Sequence, residues 1–354
     1  MSSNEPSSPI LGRSTPIGFE CELEYGADDE NKFVIRHNPA SDECVLYIAQ
    51  NTKPRDYVRS PRGGGRCRTH ERPAREPSCP FCPGNEALCA APVAVLGEPW
   101  VARCFENRYP IFHALGTGRR TREHEIRAAG HMEVIVASRR HDVCLAQQTP
   151  DEVARLVLLW RDRFSALSPR ARYVTQFINH GARAGGSLQH AHFQVVALQF
   201  VPPAVMRLVR AQSQAAPGCA ICDAVKRARR ERRVVFDADA VAFAETATHS
   251  GTVWITTACR RRIDDATDHE LTAFAHALQA VAKLAYDAFD DPDFNVAIYS
   301  APTNSTSNFH FYAVYVPHLV EDCSLARIQY GMAATSMLPE IAAKTLLRDA
   351  QLPN

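Results

Sequence analysis

The feature that most constrains this chain is that the same order of signals occurs twice. A Cys-x-x-Cys pair opens each half, at Cys79/Cys82 and at Cys219/Cys222. An apolar, β-rich stretch follows in each, Met132–Ser138 and then Thr252–Thr257. A helical stretch comes next, Thr149–Leu167 and then Asp268–Asp287. Each half closes on a strand with a central histidine, His192 and then His310. A repeat in this order points to duplication of one supersecondary unit. The expected fold is α+β: two fused units, each an antiparallel sheet with helices. The boundary is placed between residues 205 and 206, giving an N-terminal domain over 21–205 and a C-terminal domain over 206–354.

Local signals agree with that outline. Thr149–Leu167 has helical spacing, with Pro150 in the first turn, Asp151 and Glu152 early, and Arg161 and Arg163 late, as capping and the helix dipole favour. Phe33–Gln50 alternates in the manner of a strand. Asn51–Ser78 is rich in Arg, Gly and Pro, so it reads as an exposed loop; its basic character would also suit a flap over a phosphate. Tyr173–Asn179 and His190–Leu198 read as strands flanking a glycine-rich turn, and Pro202-Pro203 ends that block.

Composition narrows the functional classes. Forty basic against 39 acidic residues leave a net charge of +1. Such a chain has no bulk attraction to nucleic acid or to an anionic membrane, so any phosphate binding must be local. No apolar run approaches the ~18 residues of a membrane span. Residues 1–20 begin rich in Ser and Pro, and read as a disordered tail rather than a signal peptide. A cytoplasmic location is therefore expected. There, the twelve cysteines are read as metal ligands and buried thiols rather than as disulfides.

The chemistry concentrates between Asn179 and Gln194. On a strand, His190, His192 and Gln194 would share one face, with Ala191, Phe193 and Val195 turned to a core. Three polar side chains on one face of an apolar strand are costly to bury unless each has a partner. The preceding loop holds Gly181, Gly185 and Gly186, which let backbone N–H groups approach an anion, and Ser187 adds a hydroxyl. A phosphate beside a neutral imidazole is the natural occupant, since an imidazole whose other nitrogen is held can attack phosphorus. Cys79-Pro-Phe-Cys82 offers half of a tetrahedral zinc site. A redox pair would need a thioredoxin-like βαβ context, which is absent. His141 and His190 are the best candidates to complete a closed, structural Cys2His2 set.

These residues resemble the galactose-1-phosphate uridylyltransferase family, within the histidine-triad superfamily. The resemblance is carried by Cys79–Glu86, by Asn107-Arg-Tyr-Pro110, by Gly130–Val136 with His141, and by Gly185–Gln194. The segment Ala197–Val205 is most similar to the branch of ADP-glucose phosphorylases and short bacterial uridylyltransferases. The resemblance implies that His192 is the nucleophile and carries a nucleotidyl group, with His190, Cys79, Cys82 and His141 on a structural zinc. It implies that Gln194, Gly185, Gly186 and Ser187 contact phosphate, Asn179 lies beside them, and Asn107 contacts the nucleoside. A neutral glutamine at 194 cannot protonate a leaving group as an imidazolium can, which favours transfer over hydrolysis. A second zinc is implied at Cys219, Cys222 and His310, with Cys259 replacing a missing histidine at Arg260. Asn308 stands where a first histidine would be, so the second half should lack a catalytic centre.

The sugar end departs from the family pattern. Gln50 and Lys53 stand where an arginine pair is expected, and Arg327, within Leu325–Gly331, stands where an acid is expected. The expected activity is nucleotidyl transfer from a nucleoside diphosphate sugar to a phosphorylated acceptor, with zinc, without nucleic acid or membrane, and with a homodimer as an assembly open to it. The alternatives are an ADP-sugar phosphorylase using inorganic phosphate, and a zinc-stabilised nucleotide-binding protein without turnover.

Overall fold

The computed structural model describes residues 33–38, 43–48, 68–112, 125–127, 129–215, 217–246, 251–258, 260–319 and 337–348. The tail 1–20, the loop 51–67, Gln50, Lys53, Cys259 and the segment 325–331 with Arg327 lie outside these residues.

Among the described residues two sheets are present. The small one is formed by β1 (Phe33–Asn38), β2 (Glu43–Ile48) and β5 (Glu125–Arg127), in the order β2-β1-β5. The large one has ten strands: β3 (Pro92–Leu96), β4 (Ala102–Glu106), β6 (Gly130–Val136), β7 (Tyr173–His180), β8 (His192–Leu198), β9 (Val234–Asp237), β10 (Val241–Ala244), β11 (Val253–Thr256), β12 (Phe294–Tyr299) and β13 (Tyr312–Pro317). Its order is β3-β4-β6-β8-β7-β12-β13-β11-β10-β9. Matched strand by strand, the order reads the same from both ends: β3 with β9, β4 with β10, β6 with β11, β8 with β13, and β7 with β12.

The duplication is therefore real, but the two expected sheets are one. β7 and β12 pair antiparallel at the centre, from His180 with Phe294 to Gln176 with Ile298. Each half-sheet would otherwise leave a row of open N–H and C=O groups along its innermost strand, and pairing the two edges satisfies both. The connection between the halves is a helix, α2 (Pro203–Ser213), and the boundary expected at 205/206 falls inside it.

Helix α1 (Pro150–Leu167) and helix α4 (Asp268–Phe289) start the same way. Thr149 accepts from the Glu152 backbone while the Glu152 carboxylate accepts from Thr149 N–H, and Thr267 and Glu270 repeat the arrangement. A capping box of this kind satisfies donors that every helix N-terminus leaves open. The two helices pack against each other and cover one face of the sheet. Trp160 and Phe164 of α1 and Phe274 and Leu278 of α4 meet Phe193, Val195, Val296 and Ile298 there. The Trp160 ring stands edge-on to Phe193 at 5.4 Å. Helices α3 (Ala220–Arg230) and α5 (Pro339–Arg348) complete the second half. Among the described residues no helix is long and apolar enough to cross a membrane.

Candidate active site and metal clusters

β8 runs between β6 and β7, with His192 opposite Val136, and Gln194 opposite Val134 on one side and Phe177 on the other. Strand alternation then divides its side chains. Phe193 and Val195 enter the core under α1, as expected, while His192 and Gln194 share the opposite face. His190 departs from the expectation. The strand begins at His192, and His190 lies in the turn before it. The cysteine cluster draws the His190 ring aside, and its carbonyl accepts from His192 Nδ1–H at 2.9 Å. That bond sets the His192 tautomer, placing the ring's lone pair on Nε2. Only 6% of His192 is exposed, and the Phe81 ring packs against it at 5.3 Å.

A cavity of about 550 Å³ opens in front of His192. Gln194, Ser187 and Asn107 line it, as their sequence motifs suggested. Asn179 sits one step along β7 from the Ile178–Phe193 pair, which brings it opposite His192 on the same face. In the glycine loop, a Cβ on Gly186 would lie 2.7 Å from the Gly181 carbonyl oxygen, so the turn closes only without a side chain there. Glu76, Arg108, Tyr109 and Gln189 also line the cavity and were not anticipated. Arg108 and Tyr109 sit inside the Asn107–Pro110 motif, and Glu76 stands three residues before Cys79, so proximity to a motif was the available signal.

Cys79, Cys82, His141 and His190 come together as their spacing suggested, all buried. His190 Nδ1 is 3.7 Å from Cys79 Sγ and 3.5 Å from Cys82 Sγ, and His141 Nδ1 is 3.6 Å from Cys82 Sγ. Zinc–sulfur and zinc–nitrogen bond lengths give a tetrahedral S···N edge of about 3.6 Å, so the donors already sit at the spacing a zinc ion requires. His190 Nε2–H donates to the Ser138 carbonyl at 2.9 Å, which directs the Nδ1 lone pair at the cysteines. Burial, the largest cause in each case, pushes the Cys79 thiol up to about 12 with help from the neighbouring Cys82, and holds His190 down to about 4 with help from His141 and His192. A divalent cation would offset that cost of burying thiolates.

The second cluster repeats the first with one ligand fewer among the described residues. Cys219 and Cys222 Sγ lie 3.3 and 3.6 Å from His310 Nδ1, and His310 Nε2 faces the Thr257 carbonyl at 3.2 Å. The proposed fourth ligand, Cys259, is outside those residues. Arg260 is engaged by Glu270 at 2.7 and 3.1 Å. This geometry corrects the expected register. His310 corresponds to His190, not His192, because it meets the cysteines and the carbonyl in the same way. The residue matching His192 is then Tyr312, first in β13 as His192 is first in β8. Asn308 is a loop residue that donates to the Gly218 carbonyl at 2.6 Å.

A third buried group, Cys144, His180 and Asp291, also has metal-ligand chemistry. The Thr69 hydroxyl donates to Asp291 at 3.1 Å and lies 3.5 Å from His180 Nε2, so the group already takes part in a hydrogen-bond cluster.

The family model for the N-terminal domain of galactose-1-phosphate uridyl transferase matches residues 24–202. An ADP-glucose phosphorylase from Arabidopsis thaliana is 25% identical over 342 residues, covering 88% of this chain and 92% of its own. A galactose-1-phosphate uridylyltransferase from Thermotoga maritima is 26% identical over 211 residues, 56% of this chain and 58% of its own. In fold, the chain is similar to the crystal structure of an Arabidopsis thaliana ADP-glucose phosphorylase with bound ADP-glucose, at a TM-score of 0.69 and 24% identity over 88% of this chain and 97% of that one. The chain belongs to the galactose-1-phosphate uridyl transferase family.

Proposed function

We propose that the protein moves a nucleoside monophosphate from a nucleoside diphosphate sugar to a phosphorylated acceptor of the hexose-1-phosphate type, through a covalent intermediate on His192. The observation that carries this reading is the His192 tautomer: Nδ1–H is held by the His190 carbonyl, and Nε2 lies on the sheet face that bounds the cavity. Nε2 attacks the α-phosphorus, and the sugar 1-phosphate departs with the electron pair of the broken P–O bond. The acceptor's phosphate oxygen then attacks the same phosphorus, and the P–N bond electrons return to His192. Both leaving groups are stable anions or a neutral imidazole, so neither step requires a proton donor. Gln194 suits that chemistry, since its amide can donate a hydrogen bond to a phosphoryl oxygen but cannot transfer a proton. The Ser187 hydroxyl at the cavity, with Asn179 beside it, is the donor for the developing charge, while the Gly185 and Gly186 N–H groups close the loop on the Ala182 and Gly181 carbonyls at 3.1 and 2.8 Å. Asn107 takes the nucleoside, and Lys53 supplies a further cation to the phosphates.

Zinc bound by Cys79, Cys82, His141 and His190 would have a structural role. It would fix His190, whose carbonyl sets the His192 tautomer. A second zinc is assigned to Cys219, Cys222 and His310 with Cys259. A cytoplasmic location and a homodimer remain part of this reading.

A second reading is favoured by the coverage of one relative. The match to an ADP-glucose phosphorylase extends over 88% of this chain, and a phosphorylase would use inorganic phosphate as the acceptor of the same intermediate. Labelling tests both against a binding protein without turnover. Incubation with UDP-glucose or ADP-glucose carrying ³²P at the α-phosphate should give an acid-labile, base-stable adduct. An adduct that persists in His192→Gly, or none in the wild type, overturns the mechanism. Chasing the adduct with inorganic phosphate and with hexose 1-phosphates then decides the acceptor.

A further inference from the structure

The loop from Asn179 to Ser187 belongs to the first half, yet the second half holds it in shape. Asp293 accepts from Arg183 N–H at 2.7 Å. Its carboxylate also lies so close to Gly181 that a Cβ there would come within 2.1 Å of Oδ1, at a φ of +86° that already favours glycine. Asn295 is the cross-strand partner of Asn179 over the β7–β12 seam, so both project from the His192 face. Its Nδ2 donates to Asn179 Oδ1 at 2.8 Å and to the Ala184 carbonyl at 3.0 Å. Its own Oδ1 accepts from His318 Nε2–H at 2.6 Å.

This chain of bonds has one consistent direction. Turning the Asn295 amide over would set its oxygen against two other acceptors, Asn179 Oδ1 and the Ala184 carbonyl, and its NH2 against the His318 donor. With Asn179 Oδ1 committed to Asn295, the Asn179 Nδ2 donor is directed at the glycine loop, and a Cβ on Gly185 would lie 4.0 Å from it. Asn179, Asn295 and His318 are not among the residues lining the cavity; His192, opposite Asn179, and Ser187, at the end of the loop, are.

We infer that Asn295, oriented by His318, is a positioning residue that turns the Asn179 Nδ2–H donor toward the transferred phosphate. This rests on the reading above, in which Asn179 and the glycine loop hold that phosphate. Imidazole and imidazolium both donate from Nε2, so the relay does not depend on the charge of His318.

The test is single-turnover labelling of His192 with α-³²P UDP-glucose and ADP-glucose, in proteins matched for zinc content and melting temperature. Asn295→Asp keeps the shape but offers Asn179 only acceptors, so the Asn179 amide turns over and presents its oxygen to the loop. The adduct should then form about 100-fold more slowly, as on losing one well-placed donor, with the concentration dependence little changed. His318→Leu should cost about 10-fold through loosened geometry. His318→Gln, whose amide N–H replaces the imidazole donor, should stay within about 3-fold of wild type. The inference is overturned if Asn295→Asp and His318→Leu label at the wild-type rate, if their losses lie in substrate affinity alone, or if His318→Gln is as slow as His318→Leu. Should Asn295→Asp not fold, the His318 pair decides by the same criteria. A wild type that labels with neither nucleotide overturns the functional reading and this inference with it. A wild type that labels beside equally fast variants overturns this inference alone.

Discussion

The two halves share a scaffold and differ at the positions where chemistry would occur. Both have the capping-box helix, the Cys-x-x-Cys cluster, the histidine that binds a carbonyl through Nε2, and the same strand order. At the nucleophile position the first half has His192 beside a cavity, and the second has Tyr312, 1% exposed and packed on Trp254 at 4.6 Å and Tyr299 at 5.3 Å. Asn179, opposite His192, is matched by Tyr299, opposite Tyr312. Aromatic rings pack together at the second-half positions that correspond to the cavity side of the first half. The cysteine-facing position and the cavity-facing position are separate and two residues apart in each half; His310 keeps a histidine at the first, and Tyr312 stands at the second.

The largest expected effect tests that separation directly. His192→Ala should lower transfer by roughly 10³-fold or more, as loss of a nucleophile does, while Tyr312→Phe should leave steady-state turnover unchanged. A comparable loss in Tyr312→Phe would break the comparison. Next come the clusters. Cys82→Ser should remove one zinc per chain, measured by elemental analysis, and reduce activity about 10- to 100-fold, because His190 loses its anchor and His192 its tautomer lock. Cys222→Ser should lower the zinc content without that loss of turnover. A smaller change is expected from Gln194→His, which supplies a proton donor. Hydrolysis of the isolated adduct to free nucleoside monophosphate should rise about 10-fold.

The smallest effect concerns acid stability. Glu133 on β6 is buried, which alone would raise its pKa, but hydrogen bonds from His131 and Arg163 outweigh burial and hold it at about 2. Its counterpart on β11 by the same strand matching is Val253, which is apolar and fully buried. A carboxyl depressed in the folded state stabilises above its unfolded pKa and loses that contribution as pH falls toward the folded value. Glu270, held at about 2 by Arg260, contributes in the same window, so thermal denaturation between pH 4.5 and pH 2 should show a slope that is shallower, not absent, in Glu133→Gln. An unchanged slope in the variant would place the acid sensitivity elsewhere.

Local signals were legible in the sequence and long-range ones were not. Thr149 and Pro150 announced α1, the alternation of His192, Phe193, Gln194 and Val195 assigned their faces, and two Cys-x-x-Cys pairs marked two clusters. The β7–β12 seam has no local signature, because Asn179 and Asn295 pair across a separation of 116 residues. Asn295 is a single polar residue in an apolar strand, and its partners lie elsewhere, Asn179 on β7 and His318 just past the end of β13. The register slip at Asn308 and His310 arose from matching histidine to histidine. Which ring turns toward the cysteines is decided by distances of 3.3–3.7 Å in three dimensions, and sequence order does not contain them.

The central seam also has a kinetic consequence. It joins residues 116 apart in the chain, and contacts of that separation carry a loop-closure cost that delays them relative to hairpins and helices. The glycine loop takes its shape from Asp293 and Asn295, which arrive with that late pairing. A refolding chain should then regain helix signal and zinc at its first cluster before it regains nucleotide labelling, so that the return of activity times the closing of the sheet.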